Sequence, residues 1–231
     1  MCTDSRKAGR SLARLGSDGV VVIGMGRFGE SLARELMASG TEVMGIDADD
    51  KTVQRLAGLL THVVAADSTD EQALRQLGIH EFERVVVGIG SNLEASILTC
   101  SVLQAIGVKD IWGKAISAAH GRILSQLGVQ HVIRPEHDTG RRVAHLVAGR
   151  LLDYIEFDDG FAIVKMRPPK CTLEEPLGNS GVRTKYGVTI VGVKREGQDF
   201  THATQETVVH EGDLIIVSGP RNKVEDFSEM R

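Results

Sequence analysis

An α/β fold, with a doubly wound parallel sheet followed by a smaller α+β domain, is what this 231-residue sequence predicts, on three observations. Short, near-continuous runs of valine and isoleucine recur six times between Val20 and Pro135, as strands buried on both faces require. Amphipathic stretches of helical period separate them, which argues for parallel crossovers. Beyond about residue 155 the pattern changes to strands set among turns, and Pro168, Pro169 and Pro176 punctuate the junction.

Taken in order, the first strand is VVVIG (20–24), and a helix follows its glycine-rich turn. EVMGID (42–47), HVVAAD (62–67) and RVVVGIG (84–90) are the next three strands, each followed by a helical segment. In 91–106, Leu93, Ile97, Leu98, Val102 and Ile106 recur at helical spacing, and Ser91 with Glu94 forms a capping box. DIWGKA (110–115) and HVIRP (131–135) complete the six strands. The handedness rule for crossovers then favours a Rossmann-like arrangement. The stretch 138–154 reads as one more helix, with Val143, Leu146, Val147, Leu151 and Tyr154 along a stripe. FAIVKM (161–166), GVTIVGVKR (187–195) and DLIIVSG (213–219) are the strands of the second unit. Three parts are therefore expected: a flexible tail over 1–18, a doubly wound α/β domain over 19–154, and a smaller α+β domain over 155–231.

Composition narrows the function. With 42% hydrophobic and 25% charged residues the chain can fill a core. A net charge of −4 and scattered Lys and Arg give no basic stripe for a run of phosphates, so nucleic acid is not an expected partner. No apolar run approaches the roughly 20 residues needed to span a bilayer. The first 18 residues lack the hydrophobic segment of a secretory signal. Cys2, Cys100 and Cys171 are odd in number and far apart, without disulfide or zinc spacing, which suits a reducing cytoplasm.

The chemistry concentrates at VVVIGMGRFGE, residues 20–30. Gly24, Gly26 and Gly29 form a GxGxxG turn between strand and helix, with Met25, Arg27 and Phe28 between them. A bare motif of this kind is weak; here a strand precedes it, a helix follows, and Asp47 ends the next strand 18 positions after Gly29. Gly24 permits the tight turn, Gly26 admits phosphate oxygens to the backbone, and Gly29 lets helix and strand pack. Helix N–H groups then face an anion. Asp47, followed by Ala48, is placed to accept hydrogen bonds from ribose hydroxyls and repels a 2′-phosphate, against NADP. Arg27 carries the wrong charge for a first helical turn unless an anion sits nearby; it is either an exposed arginine or a phosphate contact. Asp67 and Ser68 fall at the adenine edge, and Gly88, Gly90 and Asn92 across the cleft. Asn92 serves either the helix cap or the ligand. Lys114 ends the fifth strand as either a phosphate contact or a surface lysine.

Machinery for catalysis is missing. A dehydrogenase needs a proton-transfer residue beside the nicotinamide, yet neither Tyr154 nor Tyr186 has a lysine four residues on. His137 and Asp138 are sequence neighbours, expected to point apart on a helix. There is no Walker loop. The pattern is to bind and sense; an NAD-dependent oxidoreductase, or a stand-alone NAD- or ATP-sensing module, is the rival reading.

GMGRFG, the ID ending the second strand, AADSTDE, VVVGIGSNLEAS, IWGKA and IRPEHDTG, with GDLIIVSG near the end, together resemble the RCK-domain regulatory subunits of bacterial potassium uptake systems, of the KtrA/TrkA type. The resemblance covers residues 20–231. It implies a ring of eight subunits, built as dimers, under a membrane potassium-transporting subunit of the KtrB or TrkH type. It implies ATP or ADP at the glycine loop, NAD or NADH in some relatives, and gating by exchange of ligand. Arg27 would reach the terminal phosphate of a neighbouring subunit's ATP, Asp47 would hold the ribose, and Lys114 would line the cleft. Glu136 would sit at the subunit junction, where it would hold a divalent cation, Mg or Ca; a helix start favours a carboxylate there in any case. Asp67 is set against relatives with an uncharged residue at that place, which bears on the adenine contact. In VRTKYGVTIVGV (182–193), Arg183 and Lys185 are either phosphate contacts for cyclic di-AMP or exposed strand-end charges.

Overall fold

The computed structural model describes residues 18–147, 151–157 and 159–230, so most of the expected tail lies outside the described residues. The chain divides into two compact units, residues 1–135 and 136–231.

In the first unit the elements alternate: β1 (Val20–Ile23), α1 (Arg27–Ala38), β2 (Val43–Asp47), α2 (Asp50–Leu56), β3 (His62–Ala65), α3 (Glu71–Gln76), a 3-10 turn (Ile79–Glu81), β4 (Arg84–Val87), α4 (Leu93–Ala105), β5 (Asp110–Lys114), α5 (Ala118–Gln126) and β6 (His131–Ile133). The strands pair in parallel in the order β3-β2-β1-β4-β5-β6. All four residues of β1 are buried, because alternate side chains serve two layers. Val21 and Ile23 join Met44, Ile46, Val85 and Ile111 on one side. Val20 and Val22 join Val43, Leu56 and Ala33 on the other. A strand with two apolar faces has no polar position to spare, which is why its sequence is a continuous run. Strand order reverses between β1 and β4, so a crevice opens at the carboxyl ends of these two strands. Asp49, Asp70 and Ser117 cap α2, α3 and α5 through their side-chain oxygens.

The second unit holds an antiparallel sheet of order β10-β9-β11-β8-β7. Its elements are α6 (Pro135–Val147, counted here from Glu136), β7 (Leu151–Glu156), β8 (Phe161–Met166), a 3-10 turn (Lys170–Thr172), α7 (Leu177–Ser180), α8 (Val182–Tyr186), β9 (Thr189–Lys194), β10 (Thr201–His202), β11 (Leu214–Pro220) and α9 (Arg221–Ser228). Tyr154, Val164, Ile215, Val217 and Phe227 build its core.

Three expectations are corrected. The helix expected over 138–154 ends at Val147 among the described residues, and Leu151–Glu156 is a strand. A β-bulge explains the misreading: Leu151 opposes Met166 and Asp153 opposes Lys165, so Leu152 is the extra residue. Leu151 and Tyr154 are therefore buried three residues apart, a spacing that imitates a helical stripe. The capping box gives way to Asn92, whose Oδ1 accepts from the Ala95 N–H at 3.1 Å. Arg183 and Lys185 lie on α8 and not at a strand end, and the Lys185 ammonium donates to the Ser180 carbonyl at 3.2 Å.

Candidate functional site

The site begins where β1 stops. Gly24 takes φ +88°, in the left-handed region, and its N–H extends the ladder to the Ile46 carbonyl at 2.8 Å. A side chain at Gly29 would place Cβ 2.1 Å from the Gly24 carbonyl oxygen, so only glycine lets α1 start against the strand end. Gly26 behaves differently. It precedes α1 in extended conformation, no side chain caps the helix, and a Cβ there would meet nothing within 4 Å. The loop is thus closed behind and open in front, with the first-turn N–H groups of α1 at the opening.

Asp47 turns back onto this loop. Its Oδ2 accepts from the Met25 N–H at 2.6 Å, and its Oδ1 accepts from the Asp49 N–H at 2.9 Å. A carboxylate has about four lone-pair sites, which leaves capacity for hydroxyl donors. Beside it lies a cleft of about 530 Å³, lined by Ala48, Asp67 and Asn92 among the expected residues. Sequence reasoning missed Ala66, Thr69, Ala95 and Leu98 in that lining. For Ala66 and Ala95 the signal is their small size, after β3 and on the first turn of α4. Asp67 accepts from the Thr69 hydroxyl at 2.7 Å and from its N–H at 2.9 Å. The hydroxyl first, and then the amide, hold its carboxyl below the usual aspartate range. Ser68 is buried instead, its hydroxyl 2.7 Å from that of Thr99. The Asn92 Oδ1 is engaged in the cap of α4, while the residue still lines the cleft.

Gly88, Gly90, Phe28 and Lys114 gather behind the loop at the switch point. A Cβ at Gly88 would lie 3.1 Å from the Gly24 oxygen and 3.4 Å from the Phe28 ring. Lys114 is 7% exposed and therefore not a surface lysine; its Nζ stands 5.3 Å from the Phe28 ring centroid. An ammonium at this distance from an aromatic face gains cation–π attraction. Arg27 is exposed on the first turn of α1. Glu30, one turn later, contacts Arg55 at 2.5 Å and Arg34 at 2.9 Å, and these guanidiniums lower its pKa, Arg55 more than Arg34.

Other expected residues stand elsewhere. Glu136 is exposed in the first turn of α6. Among the described residues no three His, Cys, Asp or Glu side chains converge as metal ligands, at Glu136 or elsewhere. His137 and Asp138 do meet, with Nδ1 and Oδ1 3.1 Å apart, against the expectation that neighbours diverge. Both side chains are at least half exposed, which frees them to fold toward each other.

Among the described residues no helix is long and apolar enough to cross a membrane. Sequence models of two domains match the chain: the TrkA-N domain over residues 20–135 and the TrkA-C domain over residues 174–230. The Ktr system potassium uptake protein C of Bacillus subtilis (strain 168) is 37% identical over 209 residues, covering 90% of this chain and 95% of that protein. The Ktr system potassium uptake protein A of the same organism is 33% identical over 217 residues, covering 94% and 98%. The protein A of Vibrio alginolyticus is 31% identical over 212 residues, covering 91% and 96%. Of solved structures, the GsuK RCK domain superposes with a TM-score of 0.63 at 19% identity, over 91% of this chain and 47% of that one. At such identity the likeness concerns the fold, and the chain spans about half of that solved chain. With both domain models in order along one chain and relatives above 30% identity over nine-tenths of it, the protein belongs to the TrkA-N/TrkA-C family that includes the Ktr potassium uptake proteins.

Proposed function

We propose that this chain is a cytoplasmic regulatory subunit of a potassium uptake system that binds an adenine nucleotide and passes the identity of that nucleotide to a membrane-embedded partner. One observation carries the nucleotide half of this reading: an open, amide-lined glycine loop, backed by Asp47, adjoins a cleft of about 530 Å³ at the carboxyl ends of parallel strands. The phosphates settle over Gly26 and the start of α1, the ribose hydroxyls on Asp47, and the base toward Ala48 and Asp67. The potassium half rests on relatives named for potassium uptake that share nearly the full length of the chain.

ATP and ADP are the favoured ligands, with NAD as the alternative; a solved GsuK channel of similar fold is described as bound to NAD. Arg27 favours the triphosphate, because an exposed guanidinium on a helix start gains most from an added anionic group. In a ring of eight subunits, assembled from dimers, that guanidinium reaches the phosphate of the adjoining copy. A ligand can shift the ring only by binding its two shapes unequally, and a coupling of about 1–3 kcal/mol is typical of such linkage. The membrane partner is a potassium-transporting chain of the KtrB or TrkH type. Cyclic di-AMP in the second unit and a cation at Glu136 are further ligands that the resemblance suggests.

The deciding experiment is calorimetric titration with ATP, ADP and NADH, paired with co-purification from membranes carrying the potassium-transporting chain. Adenine nucleotide binding together with retention on that chain supports the proposal. Turnover of NADH with any substrate would replace it with the oxidoreductase reading.

A further inference from the structure

The hydrogen bond from the Met25 N–H to Asp47 joins residues 22 apart in sequence and lies inside the glycine loop itself. We propose that Asp47 is a positioning residue for that loop: it holds the loop open in the shape a polyphosphate needs, apart from any contact with ribose. This rests on the nucleotide-binding reading above.

Strand pairing explains why a side chain is needed here. The Gly24 N–H reaches the Ile46 carbonyl, continuing the β1–β2 ladder by one more bond. The carbonyl of Asp47 faces the other neighbour, where it accepts from the Ala66 N–H at 3.0 Å on the β3 side, as alternation along a strand requires. The last backbone bond from this strand to β2 comes from Gly24, and the Met25 N–H lies beyond the ladder, where its acceptor is a side chain. The Asp47 carboxylate supplies the missing acceptor, and a charged acceptor makes the stronger bond. Its other oxygen accepts from the Asp49 N–H, which fixes the side-chain torsions. Met25 is anchored from the other side as well: its side chain is fully buried, with its sulfur 3.1 Å from where a Cβ on Gly45 would stand. Held by core packing and by the carboxylate together, Met25 presents Gly26 and the start of α1 outward. Gly26 is where a Cβ would meet nothing, so the staple leaves the phosphate face unobstructed. A carboxylate that only received ribose hydroxyls would need no backbone partner on the loop.

The test separates the staple from the ribose contact by using a ligand without ribose. Inorganic tripolyphosphate and ATP are titrated calorimetrically into the full chain and into Asp47→Ala and Asp47→Asn. Amide hydrogen exchange at Met25 is followed by NMR in the ligand-free proteins, with the Val86 and Ile111 amides as the folding reference. In Asp47→Ala, Met25 exchange accelerates roughly tenfold or more, and tripolyphosphate binding weakens roughly fivefold, the effect of losing one ordering hydrogen bond. Asp47→Asn keeps an acceptor oxygen and drops the charge, and it recovers most of the tripolyphosphate affinity. Unchanged exchange at Met25 in Asp47→Ala overturns the inference. So does tripolyphosphate binding as tight in Asp47→Ala as in the parent while ATP binding weakens, which would leave Asp47 a ribose acceptor alone. If the parent binds neither ligand, the nucleotide reading fails, and Met25 exchange still decides whether the staple exists.

Discussion

Gly26 and Gly29 stand three residues apart in one motif and face opposite physical constraints. Alanine at Gly29 drives a methyl group onto the Gly24 carbonyl at 2.1 Å, and backbone offers no flexible end to move aside. We expect Gly29→Ala to lower the stability of the first unit by roughly 3 kcal/mol, the scale of severe overpacking, read as a shift in its urea midpoint. Alanine at Gly26 meets open space at an ordinary φ of −69°, so the fold should lose at most about 1 kcal/mol, the N-cap preference for glycine over alanine. Its methyl group nonetheless occupies the face offered to phosphate, and nucleotide affinity should fall at least tenfold, about 1.4 kcal/mol. Equal effects of the two substitutions on stability would show that the loop is not closed behind and open in front. Arg27 supplies a second comparison at this scale. Arg27→Ala is expected to bind ADP almost unchanged and to lose its preference for ATP; calorimetry that shows equal weakening of both ligands assigns the guanidinium elsewhere.

Among the elements, α5 carries a group that ties stability to pH. His120 is 2% exposed, its Nδ1 accepts from the Ile116 N–H at 3.3 Å, and its Nε2 is buried without a hydrogen-bond partner among the described residues. Burial lowers its pKa below the ordinary histidine value of 6.5, because the imidazolium would be desolvated. With the folded pKa below the unfolded one, the unfolded chain binds the proton first as pH falls. The stabilising contribution is therefore whole above about pH 6.5 and declines below it. Urea midpoints at pH 7.5 and 5.5 should differ in the parent protein, and His120→Gln should narrow that difference. A gap unaltered by the substitution would place the pH dependence in other groups. Contacts between α6 and β7 show a different device. Glu156 receives Arg141 at 2.7 Å and the Tyr154 hydroxyl at 2.9 Å, while Arg142 meets Asp153 at 2.7 Å and His145 stacks on Tyr154 at 4.1 Å. Burial first, and then Glu156, push the Tyr154 phenol up to about 12. No residue of α6 is buried, so polar and ring contacts hold this helix where apolar packing does not.

For the whole molecule, the decisive quantity is the difference between ligand states. On the proposed function, small-angle scattering of the protein with ATP and with ADP should give distinct profiles, since a ligand that regulates must favour one shape over another. Superimposable profiles would leave a nucleotide bound without consequence. The thiols provide a check on the fold: Cys100 is fully buried and its pKa is pushed up to about 12 by desolvation, whereas Cys171 is exposed. An alkylating reagent at neutral pH should therefore mark Cys171 and spare Cys100 in the native protein, because the thiolate is the reactive form.

Local periodicity was enough to read the six parallel strands, their helices and the glycine turn, since a strand buried on both faces and a helix with one apolar stripe each leave a signature within a dozen residues. The same local logic failed at β7, where a bulge stretched a two-residue period to three and made a strand resemble a helix. It was silent on Asp47 meeting Met25, on the burial of Lys114 beside Phe28, and on the alanines of the cleft wall. Those features join residues from separate turns of the chain, and only the packing of one strand end against another brings them within bonding distance.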